Sequence, residues 1–154
     1  MTPEFLERAI ELAKDSVRKG GGPFGAVITK GDKIIAETSN SVTTDLDPSA
    51  HAEVNAIRKA CKVLGTYDLE GTEIYSSCEP CPMCLGAIYW AHISKLYFAA
   101  TRNDAKDAGF DDEFIYTELA KSTEERKVLT MHIDHKIAKE PFLLWAQKTD
   151  KKEY

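Results

Sequence analysis

His51-Ala52-Glu53 and, further along, Pro80-Cys81-Pro82-Met83-Cys84 are the two stretches that decide how this chain is read. Between them they bring one imidazole and two thiols, three ligands that suit Zn²⁺, with a carboxylate close to the imidazole. Three protein ligands leave the fourth tetrahedral position open, which distinguishes catalytic zinc from a closed structural site. A carboxylate next to an open zinc is the minimum needed to activate water.

Local signals indicate how the two stretches could meet. Pro80 disfavours helix at Glu79, and Pro82 suits a first helical position, so a helix is expected to begin close to Cys81. Cys81 and Cys84 are three apart, which puts both sulfurs on one side of its first turn. Unpaired N–H groups and the positive helix end there favour thiolates. His51 follows Asp47-Pro48-Ser49 and falls at the start of its own helix. Two helix starts facing each other can surround one metal. His51 and Glu53, two apart, do not share a helix face, so they can flank one site only from a terminal turn.

Plainer readings compete. A Cys-x-x-C alone is more often a closed zinc site or a redox pair. A closed site needs a fourth ligand, and Cys78 is the nearby thiol. Cys78-x-x-Cys81-x-x-Cys84 also resembles part of an iron–sulfur run, but no fourth cysteine follows at the usual spacing. Cys78 comes before the Pro80 break, at a strand end, and is expected to point elsewhere. By position alone Glu53 would be a solvated helix-surface carboxylate. Glu79 lies outside the pattern, and at most its backbone is expected to matter. Cys61 reads as a small core residue, and His92, His132 and His135 as ordinary surface or core histidines. Trp90 and Trp145 lie in apolar stretches and read as packing.

With 154 residues the chain should form one domain, able to bury about two-thirds of its unfolded surface. Its hydrophobic content of 43% and charged content of 29% are those of a soluble globular protein. A net charge of −5 argues against a nucleic-acid substrate, which normally requires clustered Lys and Arg. Glu4, Glu7 and Glu11 stand where a signal peptide would carry basic residues, and no apolar run is long enough for a membrane span. Four cysteines in such a chain favour metal or redox chemistry over disulfides, and with them the cytosol.

Thr2-Pro3 opens a helix in which Leu6, Ala9, Ile10, Ala13 and Val17 recur at helical spacing, ended by Gly20-Gly21-Gly22-Pro23. Stretches 24–29 and 33–37 read as a β-hairpin around Gly31-Asp32, and 38–48 as loop. Ser49 can cap a helix over about 50–64, with Gly65 past its end. A strand at 72–76, a helix from the cysteines to about Ala91 and a strand at 95–100 follow. Beyond these, 111–119 reads as a short helix, 129–133 as a last strand and 141–147 as a closing helix. Alternating strands and helices after a hairpin indicate an α/β layered fold with a mixed sheet. There are no repeats, low-complexity tracts or interdomain linkers.

The pattern His51-x-Glu53 with Pro80-Cys81-x-x-Cys84 resembles the cytidine-deaminase-like superfamily of zinc nucleobase and nucleoside deaminases. Within it, Gly21-Gly22-Pro23-Phe24-Gly25-Ala26-Val27, Asp47-Pro48, the run from Cys78 to Trp90, Gly109-Phe110-Asp111-Asp112 and the ending Glu153-Tyr154 are similar to small bacterial guanine deaminases, nearly end to end. The resemblance implies a three-layer α/β/α sandwich around a mixed sheet of about five strands, as a single deaminase domain over 1–154. It implies one Zn²⁺ on His51, Cys81 and Cys84, with Glu53 as the proton shuttle. The implied reaction is hydrolysis of guanine at C2 to xanthine and ammonia.

Substrate contacts are less directly written. Asn40 offers a donor and acceptors that suit a purine edge, although such an asparagine is more often a turn-former. Phe24 could stack on the base, although strand-core packing is the commoner fate. Asp111 and Asp112 could simply cap the helix that follows. The resemblance makes Asp112 a contact to the substrate's amino or ring N–H. Local sequence reads the charged terminus as frayed. The resemblance instead has a segment of about 136–154 crossing to the other subunit of a homodimer, where Tyr154 closes the site. Guanosine, cytosine and tRNA-adenosine deaminases of the same superfamily are alternatives. The acidic balance and Gly21-Gly22-Pro23-Phe24-Gly25 disfavour the tRNA branch, whereas plant guanosine deaminases share Gly-Phe-Asp-Asp and a terminal tyrosine. A non-catalytic zinc module that binds a partner is the alternative of another class, and it would have no need of Glu53.

Overall fold

Pro3 begins helix α1 (Pro3–Arg18), where its missing N–H costs no hydrogen bond, and Ala9, Ala13 and Ser16 form its buried side. The computed structural model describes residues 2–154 and divides the chain into two compact units, with the boundary after Glu113. In the first unit the hairpin consists of β1 (Gly25–Lys30) and β2 (Lys33–Ser39), antiparallel, with Gly25 opposite Ser39 and Lys30 opposite Lys33. β3 (Glu73–Cys78) runs antiparallel to β1 and parallel to β4 (Lys95–Ala100). The order β2-β1-β3-β4 makes a mixed sheet.

Strand alternation sorts the core into two layers. Val27 and Tyr75 turn toward α1, where they meet Ala9 with Phe5, Leu6 and Leu12 around them. Ala26, Ile28 and Ile74 turn the other way, against helices α3 (Ala52–Leu64) and α4 (Pro82–Trp90). Ala52, Ala56 and Ala60 recur every fourth residue, so α3 meets the sheet along a stripe of small side chains. The result is the three-layer α/β/α sandwich that the resemblance implies. Central strands β1 and β3 are covered on both faces, which is why their sequences read as nearly continuous buried runs.

Four strands form the sheet among the described residues, one fewer than expected, because 129–133 has strand-like alternation but no ladder partner. The stretch read as loop over 38–48 contains the end of β2 and a short helix, α2 (Val42–Asp45), closed by Leu46 at φ 52°. Ser49 does not cap α3. Its N–H and Oγ both donate to Asp47 Oδ1, at 2.8 and 2.7 Å. That turn delays the helix, so His51 becomes the N-cap in an extended conformation, φ −70° and ψ 157°. Gly65, at φ 66°, ends α3 as its position suggested. Helix α5 (Arg102–Asp107) was not anticipated, although Thr101 and Asp104 make a capping box at its start.

The second unit contains most of α6 (Glu113–Ala120), a 3₁₀ turn (Thr123–Glu125) and α7 (Glu140–Gln147). Ser122 and Glu125 form a capping box at the turn, and Glu118 pairs with Lys121. No residue of 114–154 is buried. Among the described residues no helix is long and apolar enough to cross a membrane.

Candidate active site and metal centre

The delayed start of α3 and the Pro80 break set two helix N-termini against each other. His51 is the N-cap of α3 and Cys81 the N-cap of α4, both extended, with Cys84 one turn into α4. His51 Nδ1 lies 3.5 Å from Cys81 Sγ and 3.4 Å from Cys84 Sγ. Among the described residues, His51, Cys81 and Cys84 form the group able to hold a metal ion, their donor atoms all within 4.8 Å of one another. At ordinary Zn–S and Zn–N lengths a tetrahedral zinc separates sulfur from nitrogen by about 3.5 Å. The nitrogen–sulfur distances fit that metal.

Charge at the centre follows from proximity. The hydrogen bond from Cys84 pulls the Cys81 thiol down to about 4, while Cys84 is pushed up by giving that hydrogen bond and by burial. The hydrogen bond between Cys81 and His51 raises the imidazole. Cys78 is buried at the end of β3, its Sγ donates to Thr101 O at 3.5 Å, and it is not among the three grouped donors. Burial pushes the Cys78 thiol up to about 11.

Glu53 lies in the first turn of α3, beside His51, and is 5% exposed. It is not the solvated carboxylate that its position alone suggests. Burial raises its pKa, and hydrogen bonds from Ser76 and Cys84 partly oppose that rise. Ser76 Oγ donates to Glu53 Oε1 at 2.9 Å. Sequence reading missed Ser76. The available signal was a polar residue at an inward position of a central strand, in alternation with Ile74.

The remaining expected residues divide. Asp111 takes the helix-start role, accepting from Glu113 N at 3.1 Å. Asp112 is half-buried, and its Oδ1 is shielded from solvent without a hydrogen-bond partner. Burial and the charge on Cys81 both raise its pKa. A shielded, unpaired acceptor suits a ligand N–H. Phe24 packs against the α3 side of the core and meets Phe110 edge-on at 5.0 Å. Asn40 follows the end of β2, and its N–H donates to Phe24 O at 3.2 Å. Tyr154 is exposed, in the second unit. His92 makes a surface pair with Asp68 at 3.3 Å, while His132 and His135 are exposed. Trp90 and Trp145 are exposed as well, contrary to the packing role read for them.

Fold and centre together are those of a zinc-dependent hydrolase, with the shielded carboxylate of Glu53 in the first turn of α3 beside His51. A family model described as the cytidine and deoxycytidylate deaminase zinc-binding region matches residues 2–100. The chain belongs to this deaminase family, and its cofactor is Zn²⁺. A guanine deaminase of Bacillus subtilis is 56% identical over 97% of both chains. A solved structure of guanine deaminase from that organism superposes with a TM-score of 0.98 at 54% identity, covering 100% of this chain and 99% of that one. A tRNA-specific adenosine deaminase of Aquifex aeolicus is 45% identical over 68% of both chains.

Proposed function

We propose that the chain hydrolyses guanine to xanthine and ammonia, with His51, Cys81 and Cys84 holding one Zn²⁺ and Glu53 as general acid and base. The observation that carries this reading is the extent of the likeness. The guanine deaminase relative aligns over 97% of this chain, the tRNA deaminase relative over 68%. Zinc in this centre supplies Lewis acidity, which makes water acidic enough to lose a proton near neutral pH. Glu53 takes that proton and passes it to a ring nitrogen of the base, which makes C2 electrophilic. The water oxygen adds to C2, Glu53 takes the second proton from that oxygen and delivers it to the departing amine, and the C2–N bond breaks. Guanine and water become xanthine and ammonia, with no redox change. Ser76 holds the carboxylate in place for both transfers. Asp112 accepts from the substrate's amino or ring N–H, Asn40 meets its opposite edge and Phe24 borders the base.

The functional unit in this reading is a homodimer in which the C-terminal segment, about 136–154, is exchanged and Tyr154 closes the partner's site. Three features support it. In the second unit Phe142 and Leu144 are 74% and 68% exposed, an apolar surface that monomers rarely leave uncovered. Among the described residues the strand-like 129–133 has no partner strand. In the first unit β4 is an edge strand with Phe98 exposed, and α4 exposes Tyr89 and Trp90. All four cysteines are free thiols, which suits the reducing cytosol. Ammonia release across a panel of guanine, guanosine, cytosine, cytidine, adenine and adenosine tests the substrate. Guanine should lead. A preference for guanosine would shift the assignment to the nucleoside, and turnover of none would leave a zinc-binding module.

A further inference from the structure

Ser16 is a polar residue on a helix face that otherwise buries Ala9 and Ala13, and it is itself 6% exposed. Its Oγ donates to Asn40 Oδ1 at 3.3 Å. The two glycines after α1 enclose that contact. A Cβ on Gly21 would lie 2.5 Å from Ser16 Oγ, and one on Gly22 would lie 2.9 Å from Asn40 Nδ2. Neither glycine has positive φ, so the missing side chain, not backbone freedom, is what these positions require. Gly21 N–H donates to Ser16 O at 2.8 Å, which ties the turn to the same residue. The carboxamide is therefore held by its oxygen, and its backbone N–H by Phe24 O. Among the described residues Asn40 Nδ2 meets no acceptor.

We propose that Ser16 is a positioning residue for substrate recognition: it seats the Asn40 carboxamide by its oxygen, so that Nδ2 donates to an acceptor on the purine, while Gly22 leaves the amide its room. Guanine carries two such acceptors, N7 and O6, on one edge, whereas adenine puts an amino donor in place of O6. A donor at Asn40 Nδ2 and an acceptor at Asp112 Oδ1 together suit a base with acceptors and N–H donors on opposite edges. The proposal rests on the reading of Asn40 as a substrate contact.

Steady-state kinetics on guanine tests it with Ser16→Ala, Gly22→Ala and Asn40→Ala, and with Ser16→Ala and Gly22→Ala each combined with Asn40→Ala. Zinc content and Tm are measured alongside. Asn40→Ala should raise KM about tenfold, and the other two single variants about three- to tenfold, the effect of one neutral hydrogen bond. Each should leave kcat within about twofold, the pattern of a lost binding contact. In the Asn40→Ala background, Ser16→Ala and Gly22→Ala should change KM by less than about 1.5-fold, because the group they act through is gone. If Asn40→Ala raises KM and Ser16→Ala does not, the Ser16 role is wrong and the Asn40 contact stands. Equal penalties with and without Asn40 would make Ser16 merely structural and overturn the proposal. If Asn40→Ala has no effect, both fall.

Discussion

Residues 2–113 and 114–154 treat similar side chains in opposite ways. In the first unit Tyr75, Ile28, Leu69 and Ile74 are fully buried between sheet and helices. In the second, Phe114, Leu129, Phe142 and Leu144 are exposed and nothing is buried. Both units have hydrogen-bonded helices with capping boxes, so local structure is not what separates them. The difference is long-range. The first unit carries the sheet pairings and ion pairs that join distant positions, such as Arg8 with Glu37. Helix signals can be satisfied within a few residues, but a core needs surfaces from separate elements. The first unit finds them in its own chain, and on our reading the second finds them in another copy.

The largest expected effect lies within the self-sufficient unit. Glu53→Gln preserves shape and can still accept from Ser76, but cannot carry a proton. Turnover should fall by about 10²–10⁴ or more, since the group serves several transfers. Zinc content and Tm should stay near wild type. Activity within a few-fold of wild type at full zinc occupancy would remove Glu53 from the chemistry.

The next effect separates ligand from neighbour at the same centre. Cys81→Ala should lose most of the bound zinc. Cys78→Ala, which removes a thiol directed at Thr101 O, should keep it. Metal analysis of the two purified variants decides the point, and equal zinc loss from both would mean a closed four-ligand site.

Much of the first unit was legible because its signals are local. Pro80 and Pro82 mark the start of α4, which puts Cys81 at the N-cap and Cys84 one turn on. The exact start of α3 was not legible, because the choice between Ser49 and His51 depends on Asp47 capturing both Ser49 donors. Likewise, the identical residues Asp111 and Asp112 take different roles. One accepts from the next helix's N–H, and the other has a shielded oxygen left over. Ser76 was invisible as a site residue because its partner Glu53 is remote in sequence and meets it only when α3 lies on β3. The strand expected at 129–133 has the right alternation of Leu129, Met131 and Ile133, but alternation specifies a face and does not supply a neighbour.

Removing the last four residues tests the second unit's dependence on another copy. Deletion of 151–154 should leave zinc content and Tm intact and lower guanine turnover by about tenfold or more, as loss of a closing element does. Mixed with Glu53→Gln protein under exchange conditions, the truncated chain should recover part of its activity. A heterodimer can pair an intact Glu53 site with an intact donated tail. Full activity of the truncated protein would remove the tail from the mechanism. Absence of rescue in demonstrated heterodimers would place the tail's action within its own subunit.

The smallest effect concerns what holds the first unit together. Arg8 on α1 grips Glu37 on β2 through two hydrogen bonds, 2.9 and 2.8 Å, joining the outer helix to the edge of the sheet. The hydrogen bond from Arg8 holds the Glu37 carboxyl below its usual range, with burial acting against it. Because the folded-state pKa is lower than the unfolded one, the pair stabilises the protein above the unfolded-state value. That contribution is lost as pH falls through the folded-state value. Both side chains are more than a third exposed, so solvent screening limits the gain to about 0.2–1 kcal/mol. Glu37→Gln should therefore lower Tm slightly at pH 7, and the difference from wild type should shrink in acid, once wild-type Glu37 is itself protonated. By contrast, the second unit's Lys148–Asp150 pair joins residues two apart, so Asp150→Asn should leave Tm unchanged at either pH. An equal Tm loss from both substitutions would mean that ion pairing across elements gives the first unit no stability that local pairing does not give the second.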